Sequence, residues 1–250
     1  MRPPVLRIGH AYGNTRHAIN LANDASVDLI ECDLWYRAGS IYIRHDHRLS
    51  PLPLLADRKI PGHPLPPYSI PLLNGYYVRP EVNPLRLPEL LHLTENGPRL
   101  LLDVKGVDDE AYAERFTAAL TSDLREYDAT ARVEVCGQLW PVLTRLRSQA
   151  PEVHVRFSIE RPDQWSAFVT MTETERRAHD TCIQHRFLRE EKLHFLKEHQ
   201  SSIYAWTVDQ PEPARELVER GVDGIISNNL GLLSSLVASA TPESGAQPSP

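Results

Sequence analysis

His10, Glu31, Asp33, His45, Asp46, Asp103 and Lys105 are the residues of this sequence whose types and spacing invite chemistry. Each stands at the end of a short apolar run. His10 follows residues 5–9, Glu31 and Asp33 close the run 28–33, His45 and Asp46 follow Tyr42 to Arg44, and Asp103 and Lys105 close the run 100–105. In an extended chain residues i and i+2 point to the same side, so Glu31 and Asp33 share one face, and Asp103 and Lys105 share another. Three carboxylates gathered at such strand ends form a hard oxygen cage. It suits magnesium, with calcium or manganese as alternatives, whereas zinc more often recruits imidazole or thiolate. A cage of this kind holds a phosphate oxygen well. Lys105 would then gather the negative charge that builds on a phosphoryl group, and His10 and His45 could act as base and acid on its two sides. Taken singly the residues say little, because a strand-end histidine is more often a hydrogen-bonded structural residue and a Glu-x-Asp pair is a weak signal. Their common position at strand ends gives them weight, since carboxylates facing a barrel interior are costly without a cation to compensate them.

The elements that must position these side chains are legible in the hydrophobic pattern. Apolar, β-branched runs at 5–9, 28–33, 100–105, 133–136, 153–157, 181–184, 203–208 and 223–227 alternate with helical periods at about 108–126, 138–149, 161–177, 188–199, 211–220 and 229–237. Strands alternating with helices predict a parallel sheet covered on both faces. Eight such strands in a chain of 250 residues predict a single (β/α)8 barrel, whose reacting groups lie at the carboxyl ends of its strands. The stretch from about 50 to 88 is dense in proline and tyrosine and has neither period. It predicts an inserted loop or cap over the barrel mouth. From residue 239 to 250 the sequence is rich in Ala, Ser, Pro and Gly and predicts a disordered tail after a barrel domain spanning 1–238.

A net charge of −6 argues against a surface built to neutralise nucleic-acid phosphates. Cys32, Cys136 and Cys182 are too widely spaced for a CxxC site and odd in number, which fits a reducing compartment; with no signal-like h-region at the amino terminus, the expectation is a cytoplasmic protein. No stretch approaches the roughly 18 apolar residues of a membrane span. Oligomeric state is not readable.

The ordered set of motifs resembles the glycerophosphodiester phosphodiesterase family. The elements are Ile8-Gly9-His10, Asn14-Thr15, Glu31-Cys32-Asp33, His45-Asp46 and Asp103-Val104-Lys105, with Leu87-Pro88-Glu89-Leu90-Leu91 as a short helix before the third strand. Ala205-Trp206-Thr207-Val208-Asp209 and Gly221-Val222-Asp223-Gly224-Ile225-Ile226 complete the set near the carboxyl end. The resemblance implies hydrolysis of small glycerophosphodiesters to an alcohol and glycerol 3-phosphate. It implies His10 and His45 as acid and base, Glu31, Asp33 and Asp103 as ligands of one divalent metal, and Lys105, Asn14 and Trp206 toward the substrate. The sequence departs from the pattern at Ala11, where the family usually has a phosphate-clamping Arg, and at Asp103, where it usually has Glu. Arg156, near the end of the fifth strand, is a candidate replacement clamp. Both departures resemble the sphingomyelinase D type phospholipases of the same barrel, which give cyclic phosphates. A lipid-acting enzyme of that kind and a barrel that only binds phosphodiesters are therefore the competing readings.

Overall fold

The computed structural model describes residues 4–49 and 51–238. Strand β1 (Leu6–Gly9) leads through helix α1 (Arg16–Asp24) to β2 (Leu29–Arg37), which folds back as β3 (Ser40–Ile43). Four further strands follow, β4 (His47–Arg48), β5 (Leu54–Arg58), β6 (Ile70–Pro71) and β7 (Tyr76–Pro80), before α2 (Leu87–Leu93) returns the chain to the barrel. The rest is regular βα alternation: β8 (Arg99–Lys105), α3 (Glu110–Glu126), β9 (Val133–Gly137), α4 (Trp140–Gln149), β10 (His154–Ile159), α5 (Pro162–Glu175), β11 (Asp180–Gln184), α6 (Glu190–Glu198), β12 (Ile203–Trp206), α7 (Pro211–Arg220), β13 (Gly224–Ser227) and α8 (Leu230–Ala238).

Eight parallel strands close the barrel in the order β1-β13-β12-β11-β10-β9-β8-β2, with β2 pairing back to β1. Period-two alternation sorts each strand into two cores. Along β2, Leu29 faces the barrel interior while Ile30, Cys32 and Leu34 pack outward against the helices; along β8, Leu101 faces inward while Leu100, Leu102 and Val104 face outward. That same alternation carries Glu31, Asp33, Asp103 and Lys105 inward at the carboxyl ends, and Asp33 lies opposite Asp103 in the β2–β8 register. Cys32 points away from the carboxylates, as its place between them requires.

Two expectations are corrected here. Helix α1 was absent from the sequence reading, although Thr15 marks its start: the Thr15 hydroxyl accepts the Ala18 N–H, a cap worth about 1 kcal/mol. The stretch 51–88, expected as a loop or cap, carries regular strands. It forms most of a four-stranded antiparallel sheet, ordered β4-β5-β7-β6, that rises beside the mouth. Its prolines sit at strand ends and connections, which hides the strand period from a reader of the sequence. The proposed tail at 239–250 lies outside the described residues. Among the described residues, no helix is long and apolar enough to cross a membrane.

Candidate active site

The carboxyl ends of the strands enclose a cavity of about 340 Å³ lined by His10, Glu31, His45, Asp103, Lys105 and Trp206, with Gln138 and Ser158 on the far wall. This is the size of a small-ligand site. Chain geometry leaves little freedom near its rim. Gly13 approaches β2 so closely that a Cβ there would lie 2.5 Å from Cys32, and its N–H donates to the Glu31 carbonyl at 2.9 Å. Gly137, with φ +147, passes so close to β8 that a Cβ there would lie 2.7 Å from Val104 and 3.1 Å from the Asp103 carboxylate.

Glu31, Asp33 and Asp103 each offer an oxygen within 4.8 Å of the other two. Glu31 Oε2 accepts the Ala11 N–H at 2.5 Å, and Oε1 is buried without a partner. Asp33 is bracketed by Asn14, whose Nδ2 donates to Oδ2 at 2.6 Å while the Asp33 N–H donates to Asn14 Oδ1 at 2.9 Å. Asn14 therefore braces a carboxylate. Lys105 Nζ sits 3.0 Å from Asp33 and also contacts Asp103. Burial, reinforced by the neighbouring carboxylates, pushes Glu31 well above the usual range. Burial also raises Asp103, against the opposing field of Lys105. Asp33 ends below its ordinary value because Lys105 and the two histidines outweigh its burial. One ammonium thus faces three carboxylates, and an orphaned buried oxygen points at the shortfall. The donor set fits a divalent cation with oxygen preference.

The two imidazoles flank this cluster with ring centroids 6.3 Å apart, and they are wired differently. His10 Nδ1 lies 2.8 Å from Asn228 Oδ1. The Asn228 amide is oriented by Asp209, which accepts both its Nδ2–H and its backbone N–H at 2.8 Å. A carboxylate only accepts, so Oδ1 must face His10 and Nδ1 must carry the proton, leaving Nε2 as the free nitrogen. Burial lowers the His10 pKa below 6.5 despite the Asn228 bond. His45 Nδ1 lies 2.5 Å from Asp57 Oδ2 on β5. Burial opposes its charge, but the Asp57 bond and the field of Asp33 outweigh this, and its pKa is raised above 6.5. Asp46 is fully occupied by the cap: Arg79 grips it at 2.6 and 3.1 Å and the Tyr77 hydroxyl donates to it at 3.1 Å. The antiparallel sheet therefore holds the His45-Asp46 turn from two sides.

Asp57, Asn228 and Asp209 were missed as positioning residues. Asp57 carries no signal in the sequence, whereas Asp209 and Asn228 lie in or beside the carboxy-terminal motifs. His63 was also missed. It is buried, its ring centroid lies 4.0 Å from that of Tyr12, and burial lowers its pKa to about 4. His179 is buried against Phe157 and Phe168. His185 lies at the end of β11 with Nδ1 3.3 Å from the Trp206 carbonyl.

Arg156 is not brought to the site. It points into the barrel but one layer too deep, two residues before Ser158, and Nε donates to Glu134 at 2.6 Å while its guanidinium stacks 3.5 Å from the Tyr204 ring centroid. There it neutralises a buried Glu134 at the amino-terminal end of the barrel. Replacing it with alanine removes the nearest partner of that carboxylate, which keeps only Arg99 and the Tyr204 hydroxyl at 3.2 Å, so Arg156→Ala is expected to lower urea-unfolding stability by about 3 kcal/mol while leaving the KM for a phosphodiester unchanged. A KM rise without a stability loss would restore the clamp role. Ala11 itself, at φ 59, lines a side cavity together with Arg44, Lys59 and Arg79.

With this geometry the comparisons with known proteins agree. The glycerophosphoryl diester phosphodiesterase family model matches residues 8–232. The chain belongs to that family, and it is an enzyme of the phosphoric diester hydrolase class. Among solved structures, a protein of Silicibacter pomeroyi is 21% identical and superposes with a TM-score of 0.73 over 96% of this chain and 95% of its own. A phosphodiesterase of Oleispira antarctica, solved in complex with the product sn-glycerol-3-phosphate, is 16% identical with a TM-score of 0.68, covering 94% and 97%. The glycerophosphodiester phosphodiesterase of Thermotoga maritima is 18% identical with a TM-score of 0.65, covering 94% and 100%. Comparison with curated proteins gives no match.

Proposed function

We propose that the chain hydrolyses small glycerophosphodiesters to an alcohol and sn-glycerol 3-phosphate, with His10 as general base and His45 as general acid. The observation that carries this reading is the opposite wiring of two imidazoles across one acidic cluster: His10 held by Asn228 with Nε2 free and its pKa lowered by burial, His45 held by Asp57 with its pKa raised. Family membership and the product bound to the Oleispira antarctica phosphodiesterase support the substrate class. Glu31, Asp33 and Asp103 would hold one divalent cation, magnesium by their hard oxygen character, and when bound it would supply positive charge against the phosphoryl oxygens.

His10 Nε2 takes a proton from the attacking water as the new P–O bond forms. His45 delivers its proton to the departing alkoxide as the old P–O bond breaks, so the pair ends with its protonation exchanged and resets through solvent. Lys105 Nζ, already at the cluster, faces the negative charge that develops on the phosphoryl oxygens. Trp206, half-buried at the rim, gives the alcohol an aromatic wall on which a quaternary ammonium could stack. The free, buried thiols of Cys32, Cys136 and Cys182 suit a reducing cytoplasm.

Ala11 favours keeping one second reading, attack by a hydroxyl of the substrate itself to give a cyclic phosphate. Phosphorus NMR of the protein with glycerophosphocholine and magnesium separates the two. The expected product is glycerol 3-phosphate, lost with chelator; a persistent cyclic phosphate would overturn hydrolysis by water, and no turnover would overturn both.

A further inference from the structure

The outer end of the antiparallel sheet presents an apolar tip that covers nothing among the described residues. Leu73 is 88% exposed, Tyr68 73% and Ile70 62%, and Leu72 and Tyr76 are about half exposed. They lie just before β6, on β6, on the turn that follows it and at the start of β7. An exposed cluster of large aliphatic and aromatic side chains in one place is the mark of an interaction surface.

Its charge says what it meets. From residue 58 to 80 the sequence contains Arg58, Lys59 and Arg79 and no Asp or Glu, in a chain that has 33 acidic residues and a net charge of −6. Arg79 is occupied by Asp46. Arg58 and Lys59 are exposed and without an ion-pair partner among the described residues, and both flank the tip: Arg58 lies opposite Tyr76 in the β5–β7 register and the Lys59 N–H donates to the Gly75 carbonyl. Aliphatic side chains that can enter acyl chains, tyrosines at their border and unpaired cations beside them match the surface of an anionic bilayer. A second copy fits less well, because a twofold contact through the tip would set Arg58 and Lys59 against their own copies.

We propose that this tip docks the enzyme onto anionic membrane surfaces. Lys59 and Ile60, at the base of the tip, also line the side cavity that reaches His45 and Ala11. Docking therefore brings lipid headgroups to the mouth, and single-chain glycerophospholipids become substrates beside soluble diesters. That last step rests on the activity proposed above; the docking does not.

The test is sedimentation of the full chain with vesicles of phosphatidylcholine containing phosphatidylglycerol, and with phosphatidylcholine alone. Wild type is expected to co-sediment with the anionic vesicles, with binding reduced about fivefold for each of Arg58→Gln and Lys59→Gln and about tenfold or more for Leu73→Asp. Leu73→Asp is expected to keep wild-type turnover of soluble glycerophosphocholine while losing turnover of vesicle-borne lysophosphatidylglycerol. No binding of wild type to anionic vesicles overturns the proposal even if the soluble diester is hydrolysed. So does binding that Leu73→Asp leaves intact. A wild-type dimer that Leu73→Asp splits, seen by analytical ultracentrifugation together with absent vesicle binding, would assign the tip to a second copy and overturn it equally.

Discussion

His10→Ala and His45→Ala are each expected to lower kcat for glycerophosphocholine by about a hundred- to ten-thousand-fold, the usual contribution of a positioned acid or base. The two losses should differ in kind. An acid matters in proportion to how poorly the leaving group departs unaided. The His45→Ala defect should therefore shrink markedly on a p-nitrophenyl phosphodiester, whose phenolate leaves without a proton, whereas the His10→Ala defect should persist. The pH profile provides an independent check. The base must be neutral and the acid charged, so the acidic limb of kcat/KM belongs to His10, held below 6.5, and the alkaline limb to His45, held above it. Asp57→Asn removes the largest influence raising His45, and it should draw the alkaline limb toward lower pH while the acidic limb stays in place. If Asp57→Asn moved the acidic limb, or if the leaving-group effect attached to His10, the assignment of roles would be reversed.

The acidic cluster leads to a result with two opposite signs. Glu31 is held well above its ordinary range, first by burial and then by Asp33 and Asp103. A carboxyl group whose folded pKa is raised contributes stability below its unfolded pKa and loses it as pH rises through the folded one. At neutral pH the metal-free protein should thus carry a penalty at this position. Glu31→Gln removes it while keeping a carbonyl oxygen for the Ala11 N–H, so the variant without metal should melt a few degrees above wild type. Saturating magnesium, at about a hundred times its Kd, should stabilise wild type by about 2.7 kcal/mol, a Tm rise of roughly 5–10 °C for a chain of this size. In Glu31→Gln both that rise and most of the turnover should disappear. Calorimetry with magnesium and with chelator reads the stability effects without reference to activity. A Glu31→Gln variant that melts lower than wild type without metal, yet still gains the full magnesium shift, would remove Glu31 from the cation site.

The inventory of the site was legible along the chain because its chemistry is carried by short-range relations. Glu31 with Asp33, and Asp103 with Lys105, share a face by the period of a strand, and seven of the eight apolar runs fall within a residue or two of the strands that form the barrel, while β2 runs on four residues past Asp33 to Arg37. The same reasoning failed at Arg156 for want of depth. It has the correct side of β10 but sits one layer below Ser158, and period alone does not say where along a strand the barrel mouth begins. Helix α1 went unread because its apolar period is short, and the antiparallel sheet because prolines mask its strands.

The roles of the histidines belong to the tertiary structure. His10 meets Asn228 across 218 positions of sequence when β1 closes against β13, and His45 meets Asp57 only once β5 has paired with β4 and β7. Each partner decides which ring nitrogen carries a proton and how firmly. By itself the sequence determined that two imidazoles, three carboxylates and an ammonium would gather at the ends of parallel strands, because strand period and hydrophobic pattern are local properties. Only the folded chain decided how the two imidazoles differ, with the His10 pKa lowered and the His45 pKa raised, because a pKa is set by the burial and the hydrogen-bond partner that distant segments bring to it.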